Sequence, residues 1–302
     1  SSAIKAQNHF TFNVKLLDAT LLNQLLNIPL ELHEPVTLVG FFNDPANKLD
    51  IDMIAGSLDY NGSHYEQARV RCQNNEHAFL ADANVNKFNK SSMITLGLHA
   101  TAQDDLVNTA VSWNNNKDTG TFLGQLNVDA RFNQIPGMPM QVGINVQPSD
   151  ITLNDTTWHI RPARVDIQDK KYTVSNLTIE SGERHLKVNG TVSDNLADSL
   201  VADLKDINVE YVLDAVNFHA VRFSGYASGK AYASNLLHDM QADTQLFIKD
   251  FRFEDGQMGH MNLYGRWENE DKAIYVNGHI TEFGATDAPA DSTQVWRSWN
   301  GL

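Results

Sequence analysis

The chain has 302 residues, a formal net charge of −14, and 42% apolar against 20% charged residues. That balance supplies enough apolar material for a core and excludes a disordered chain. The acidity excludes the clustered Lys and Arg that phosphate binding needs, so no nucleic-acid partner is expected, and it disfavours simple adsorption to anionic lipid.

The length suits one large β domain or two ordinary ones. One cysteine, Cys72, permits no internal disulfide, which rules out a disulfide-stapled module without separating cytoplasm from periplasm. No run of about eighteen apolar residues spells a membrane-crossing helix. The opening "SSAIKAQNHF" carries no signal peptide and the other end is equally abrupt, so the sequence reads as an excerpt from something longer.

In chain order, "VKLLDATLLNQLLNIPLELHEPVTLVG" from Val14 reads strand, short helix, strand, Gly. Apolar residues three to four apart predict the helix over 18–27. Short period-two runs follow, separated by turn signals such as Asn61-Gly62 and "NNNKDTG" at 114–120. Asp50 and Asp52 share a strand face, and Asp104-Asp105 are adjacent. Paired carboxylates serve glycoside hydrolysis, but acids on a wet strand face need no such role. "NNNKDTGTFLGQ" from Asn114 offers oxygens at alternate positions like a calcium loop. It lacks Gly at its sixth position and ends in Gln125 where a bidentate Glu is required, so it reads as a polar hairpin tip. "NQIPGMPMQVG" at 133–143 is the one plausible seam, dividing 1–140 from 141–302. It is short and flanked by strands, so residues 1–302 are expected as one continuous, repeat-built β fragment.

The second half alternates more clearly. "YTVSNLTIES" sets Tyr172 and Val174 on one face, slips at Ser175-Asn176, and resumes with Leu177 and Ile179. "HLKVNGTV" places Leu186, Val188, Gly190 and Val192 opposite Lys187, Asn189 and Thr191. "VADLKDINVEYVLDAVNFHAVRFSG" from Val201 repeats the pattern of the Val14 segment, with a second helix predicted over 208–216 and Gly225 matching Gly40. "FSGYASGKAY" then resembles a phosphate loop, but only three residues separate Gly225 from Gly229, and Ala231 follows Lys230 where Ser or Thr is needed. The glycine instead relieves a crowded or bulged strand position. "QLFIKDFRF" takes an extra step at Asp250, and "AIYVNGHI" closes the series. Such alternation marks half-buried antiparallel strands, with bulges at the slips.

The apolar face so defined comprises Leu177, Ile179, Leu186, Val188, Val192, Leu200, Leu204, Leu246, Ile248, Phe251, Phe253, Leu263, Ile274 and Val276. The residues alone favour a closed core; the same set could line a groove. His9, His33, His64, His77, His99 and His159, six of the eleven histidines, are scattered, there is no HExxH, and Cys72 has no Cys or His beside it, so no metal site is expected. The sequons at Asn61, Asn89, Asn154, Asn176 and Asn189 read as turn and strand residues.

An ordered series carries a family resemblance. Ser149 is followed by "LNDTTW" ending at Trp158 and by Pro162, then "VNGTVS" at 188–193, "DSLVADLKDINVEYVL" at 198–213, "GYASGKAY", "IKDFRF" and "GRW" at 265–267. Over residues 120–280 the chain resembles the TamB translocation and assembly modules of the AsmA-like superfamily, in their Bacteroidetes form. Residues 10–115 share the style, while the tail "ATDAPADSTQVWRSWNGL" departs from it. The resemblance implies an elongated all-β meander curled into an open, taco-like groove. It implies a periplasmic protein anchored in the inner membrane outside this excerpt, with no catalytic residues, cofactor or metal. Phospholipid acyl chains would slide along the apolar face, and a TamA-like outer-membrane barrel would be the partner through regions beyond the excerpt. Two other readings stand beside lipid conduction: a scaffold that offers strand edges to outer-membrane barrel proteins, and a polysaccharide-active protein using Asp50 and Asp52.

Overall fold

The computed structural model describes residues 9–43, 48–74, 77–89, 92–195, 197–210, 222–235, 240–268, 273–282 and 297–300. They form one large antiparallel β-meander sheet with a single short helix, and the sheet is not closed into a barrel. The chain divides into two compact units, Ser1–Asn133 with Ile144–Trp158, and Gln134–Gly143 with His159–Leu302.

In the first unit the elements are β1 (His9–Leu16), α1 (Thr20–Leu26), β2 (Leu30–Leu32), β3 (Val36–Asn43), β4 (Lys48–Tyr60), β5 (Ser63–Asn74), β6 (Phe79–Asn89), β7 (Ser92–Gln103), β8 (Leu106–Asn114) and β9 (Phe122–Asn133). From β3 to β9 each strand lies antiparallel to the next. β1 lies on the free side of β3 with Phe12 opposite Gly40, and β2 continues the line of β3 by pairing with the far end of β4. A Cβ on Gly40 would run into the Phe12 ring, so this glycine makes room for an aromatic neighbour.

Helix α1 is shorter than the predicted 18–27. Asp18 accepts the Thr20 N–H at 3.0 Å, and Asn27 ends the helix in the left-handed conformation at φ 52°. The Asn23 side chain ties α1 to β2, donating to the Leu30 carbonyl at 2.7 Å and accepting the Leu30 N–H at 3.3 Å.

The remaining strands are β10 (Gln141–Val146), β11 (Ser149–Leu153), β12 (Thr156–Ile160), β13 (Ala163–Gln168), β14 (Lys171–Ser181), β15 (Arg184–Val192), β16 (Ser199–Asn208), β17 (Phe223–Ser234), β18 (Gln241–Phe253), β19 (Gly256–Glu268), β20 (Ala273–Thr281) and β21 (Arg297–Asn300). In the first unit β11 pairs with β9. In the second, β13 to β21 continue as a plain meander. The second predicted helix, 208–216, falls outside the described residues beyond Glu210.

The slips in the alternation are β-bulges. Register shifts between Val174 and Leu177, between Leu204 and Ile207, and between Ile248 and Phe251. At these three sites Asn176, Asp206 and Asp250 take the left-handed conformation, with φ of 59°, 50° and 55°. Asn and Asp tolerate that region best among non-glycine residues. A bulge leaves a backbone group without a ladder partner, and the following strand supplies one. The Asn176 N–H donates to Asn189 Oδ1 at 2.6 Å, the Asp206 N–H to Ser228 Oγ at 2.9 Å and the Asp250 N–H to His260 Nδ1 at 3.3 Å.

Beside each acceptor stands a positive-φ glycine: Gly190, Gly229 and Gly259. Gly229, at φ 141°, lies so close to β18 that a Cβ would strike the Gln245 carbonyl. The hairpins β14–β15, β16–β17 and β18–β19 thus repeat one device. Gly225, where register shifts between Ser224 and Tyr226, has φ 135°, and a Cβ there would meet the Lys249 carbonyl at 2.8 Å. Its role is steric, as the faulty phosphate-loop spacing anticipates.

Gly229→Ala should lower unfolding stability by roughly 1–3 kcal/mol, the usual cost of forcing a side chain into a disallowed backbone region. Urea titration followed by circular dichroism measures it; an unchanged midpoint would contradict the close approach of the two strands.

Candidate functional site

Directly opposed residues on antiparallel strands share a face, so the register states which of the expected apolar residues meet. In the second unit one row runs Ile179–Leu186–Leu204–Gly229–Leu246–Leu263–Gly278 across seven strands. Beside it runs Leu177–Val188–Ala202–Ala231–Thr244–Gly265–Val276. The row one residue along is polar: Thr178–Lys187–Asp203–Lys230–Gln245–Tyr264–Asn277. The bulges keep the rows straight. Were Asn176 an ordinary step of the pleat rather than part of a bulge, Leu177 and Ile179 would fall on the face opposite Tyr172 and Val174.

The rows are not a closed core. Leu177, Ile179, Leu186, Val188, Leu200, Leu204, Leu246, Leu263 and Val276 are half-buried, and no large side chain among the described residues is less than 2% exposed. Burial concentrates at one end, where Ala227, Ile248 and Phe251 form a small cluster against Val209, Phe223 and Met261. Val192, opposite Tyr172, is also buried. Phe253, next to the Phe223 ring, is 40% exposed. Ile274 pairs with Trp267 in the ladder, and its side chain lies outside the described set.

The first unit carries an equivalent surface that the strand-by-strand pattern does not reveal. Val14–Leu38–Met53–Val70–Ala83–Leu98–Val111–Leu126 is one unbroken apolar row across eight strands. None of these residues is buried, and Val14 is 48% exposed. The alternation of each strand supplies the members of this row; only the register joins them.

The acidic candidates take other roles. Asp52 accepts two hydrogen bonds from Arg69, at 3.0 and 2.6 Å, and Asp50 lies 3.5 Å from Arg71. The Arg69 hydrogen bonds hold the Asp52 carboxyl below the usual carboxylate range. Glycoside hydrolysis needs a second acid with a raised pKa beside an ionised carboxylate, and Asp52 is not that acid. Asp104 occupies a hairpin turn with φ 51°. The 114–120 segment is the β8–β9 connection, clamped by Asp155. That carboxylate accepts from Thr121 Oγ1 at 2.7 Å, the Thr121 N–H at 2.9 Å and the Gly120 N–H at 2.8 Å. Its oxygens face donors rather than a cation site.

The histidines are less scattered in space than in sequence. His33, in the turn after β2, and His64, on β5, converge on Asp59, which lies opposite His64 across the Asn61-Gly62 turn. Their separation along the chain hides this meeting.

The Thr121 hydroxyl, then the Thr121 and Gly120 N–H groups, depress the Asp155 pKa. A depressed carboxyl stabilises the folded state above its unfolded value, about 3.9, and that contribution disappears as pH falls through the lower folded value. Hydrogen exchange at the Gly120 and Thr121 amides should therefore stay protected at neutral pH and open below about pH 4. Asp155→Asn should open them at neutral pH; unchanged protection would show that Asp155 does not clamp the loop. Lys230→Ala should leave the chain as indifferent to ATP with magnesium as it was before, and saturable micromolar binding lost in the variant would restore the phosphate-loop reading.

No helix among the described residues is long and apolar enough to cross a membrane. Comparison with protein-family models, with curated proteins and with solved structures finds no match.

Proposed function

We propose that the chain is a non-enzymatic segment of an envelope-spanning protein that conducts phospholipid along the apolar face of its sheet. The observation that carries this reading is the pair of half-exposed rows in the second unit, apolar apart from Thr244, matched by the long row in the first. Soluble proteins rarely leave contiguous apolar strips open to water, and large ones mark surfaces that bind something apolar. A strip of neighbouring apolar rows, with the polar row on the opposite face of the same strands, fits an extended acyl chain better than a compact ligand.

Each buried methylene contributes about 0.8 kcal/mol. An acyl chain is therefore held firmly, while the near-equivalence of successive leucine and valine positions keeps its movement close to level. Under this reading the protein lies in the periplasm with its anchor elsewhere, and an outer-membrane barrel of the TamA type receives the lipid through other regions.

A photo-crosslinker at Leu186, Leu204 or Leu263 should capture phospholipid in the cells that make the protein, and one at Lys187 or Gln245 should not. Val188→Asp should cut capture by more than about tenfold, because a carboxylate placed among aliphatic side chains costs well over 1.4 kcal/mol. Because Val188 is only half-buried, that variant should keep nearly the parent melting temperature. A collapse in melting temperature together with no crosslinking at the apolar positions would reject lipid conduction.

A further inference from the structure

The His33, Asp59 and His64 cluster sits at the turn end of the β4–β5 hairpin. His33 Nε2 lies 2.9 Å from Asp59 Oδ2, and His64 Nδ1 lies 2.6 Å from Asp59 Oδ1. All three donor atoms fall within 4.8 Å of one another. We propose that His33 Nε2, His64 Nδ1 and Asp59 form a binding site for a borderline divalent transition metal, with zinc as the natural occupant. This revises the expectation of no metal site.

Three features support it. The first is spacing. Ligands about 2.0–2.1 Å from a tetrahedral zinc stand roughly 3.3 Å apart, so the ion replaces the shared protons with only a small outward movement. The second is the framework. Asp59 and His64 are direct partners across a tight turn, and Glu31, on β2, is the partner of Asp59 on its other side. His33 is fixed by its backbone N–H, which donates to the Ser57 carbonyl at 3.1 Å.

The third is the surrounding shell. His64 Nε2 lies 3.2 Å from Glu66 Oε1, a carboxylate placed to accept the Nε2–H and orient the ring when Nδ1 exchanges its contact with Asp59 for the ion. Two imidazoles and one carboxylate disfavour calcium and magnesium, which take oxygen ligands, and suit zinc. The side chains are about 40% exposed, so a fourth position is open to water or to a group from a partner.

The test is a zinc titration of the 302-residue chain at neutral pH against a chromophoric chelator, with cobalt as a spectroscopic substitute. One ion should bind per chain, and the cobalt form should show the intense visible absorption of a tetrahedral site. His33→Ala, Asp59→Asn and His64→Ala should each weaken binding about a hundredfold, and Glu66→Gln about tenfold, as loss of a supporting carboxylate does. His99→Ala removes another surface imidazole that is paired with an aspartate, Asp82, and should change nothing. Circular dichroism of each variant separates ligand loss from unfolding, and Glu66→Gln tests the site without touching a ligand. No saturable micromolar binding, or binding that survives all three ligand substitutions, would overturn the proposal.

Discussion

The architecture depends on a single extra residue per hairpin, held in the left-handed conformation. A strand alternates its faces strictly, so an apolar set stays on one side only while the count is unbroken. Asn176, Asp206 and Asp250 each insert one step, and the apolar residues beyond them return to the same face. The orphaned N–H groups go to Asn189, Ser228 and His260, so the interruption leaves no unpaired donor at these positions. Bulges also increase the local right-handed twist of the strands that carry them.

The resulting surface is neither a normal interior nor a normal exterior. Mostly aliphatic rows, interrupted by small residues and by Thr244, cross seven strands of one unit and eight of the other while their large side chains stay half-exposed. An ordinary sandwich would cover such faces with a second sheet about 10 Å away and bury its large side chains fully. The polar residues of the opposite face, with pairs such as Arg69–Asp52 and Lys205–Glu183, contribute little individually at exposed sites. Their weight lies in solubility and in marking which face meets water.

Much of this was legible in the residues, and the reasons differ by element. Period-two runs identified the strands because alternation is local. The slips at Ser175-Asn176 and Asp250 located bulges because the apolar count breaks there and the residues tolerate positive φ. Helix α1 was found to within two residues, its ends set by Asp18 and Asn27. The continuous row of the first unit was not legible, because each strand showed only its own members and register decides who stands opposite whom. The meeting of His33 with Asp59 and His64 was hidden for the same reason, since β2 reaches β4 past the intervening β3. Burial was the least legible property: the alternation of Phe251 and Phe253 is identical, yet one is buried and the other 40% exposed.

The central claim is that the apolar rows are open and can take up acyl chains. Spin labels at Leu204 and Leu98, read by relaxation with a water-soluble nickel complex and with dissolved oxygen, measure that directly. In lipid-free protein both labels should be accessible to the nickel complex. Adding phospholipid should shield them and raise their contact with oxygen, while a label at Lys187 stays unchanged. Labels shielded from the nickel complex before any lipid is added, and unaffected by it afterwards, would mean a closed core and would contradict the open-row structure.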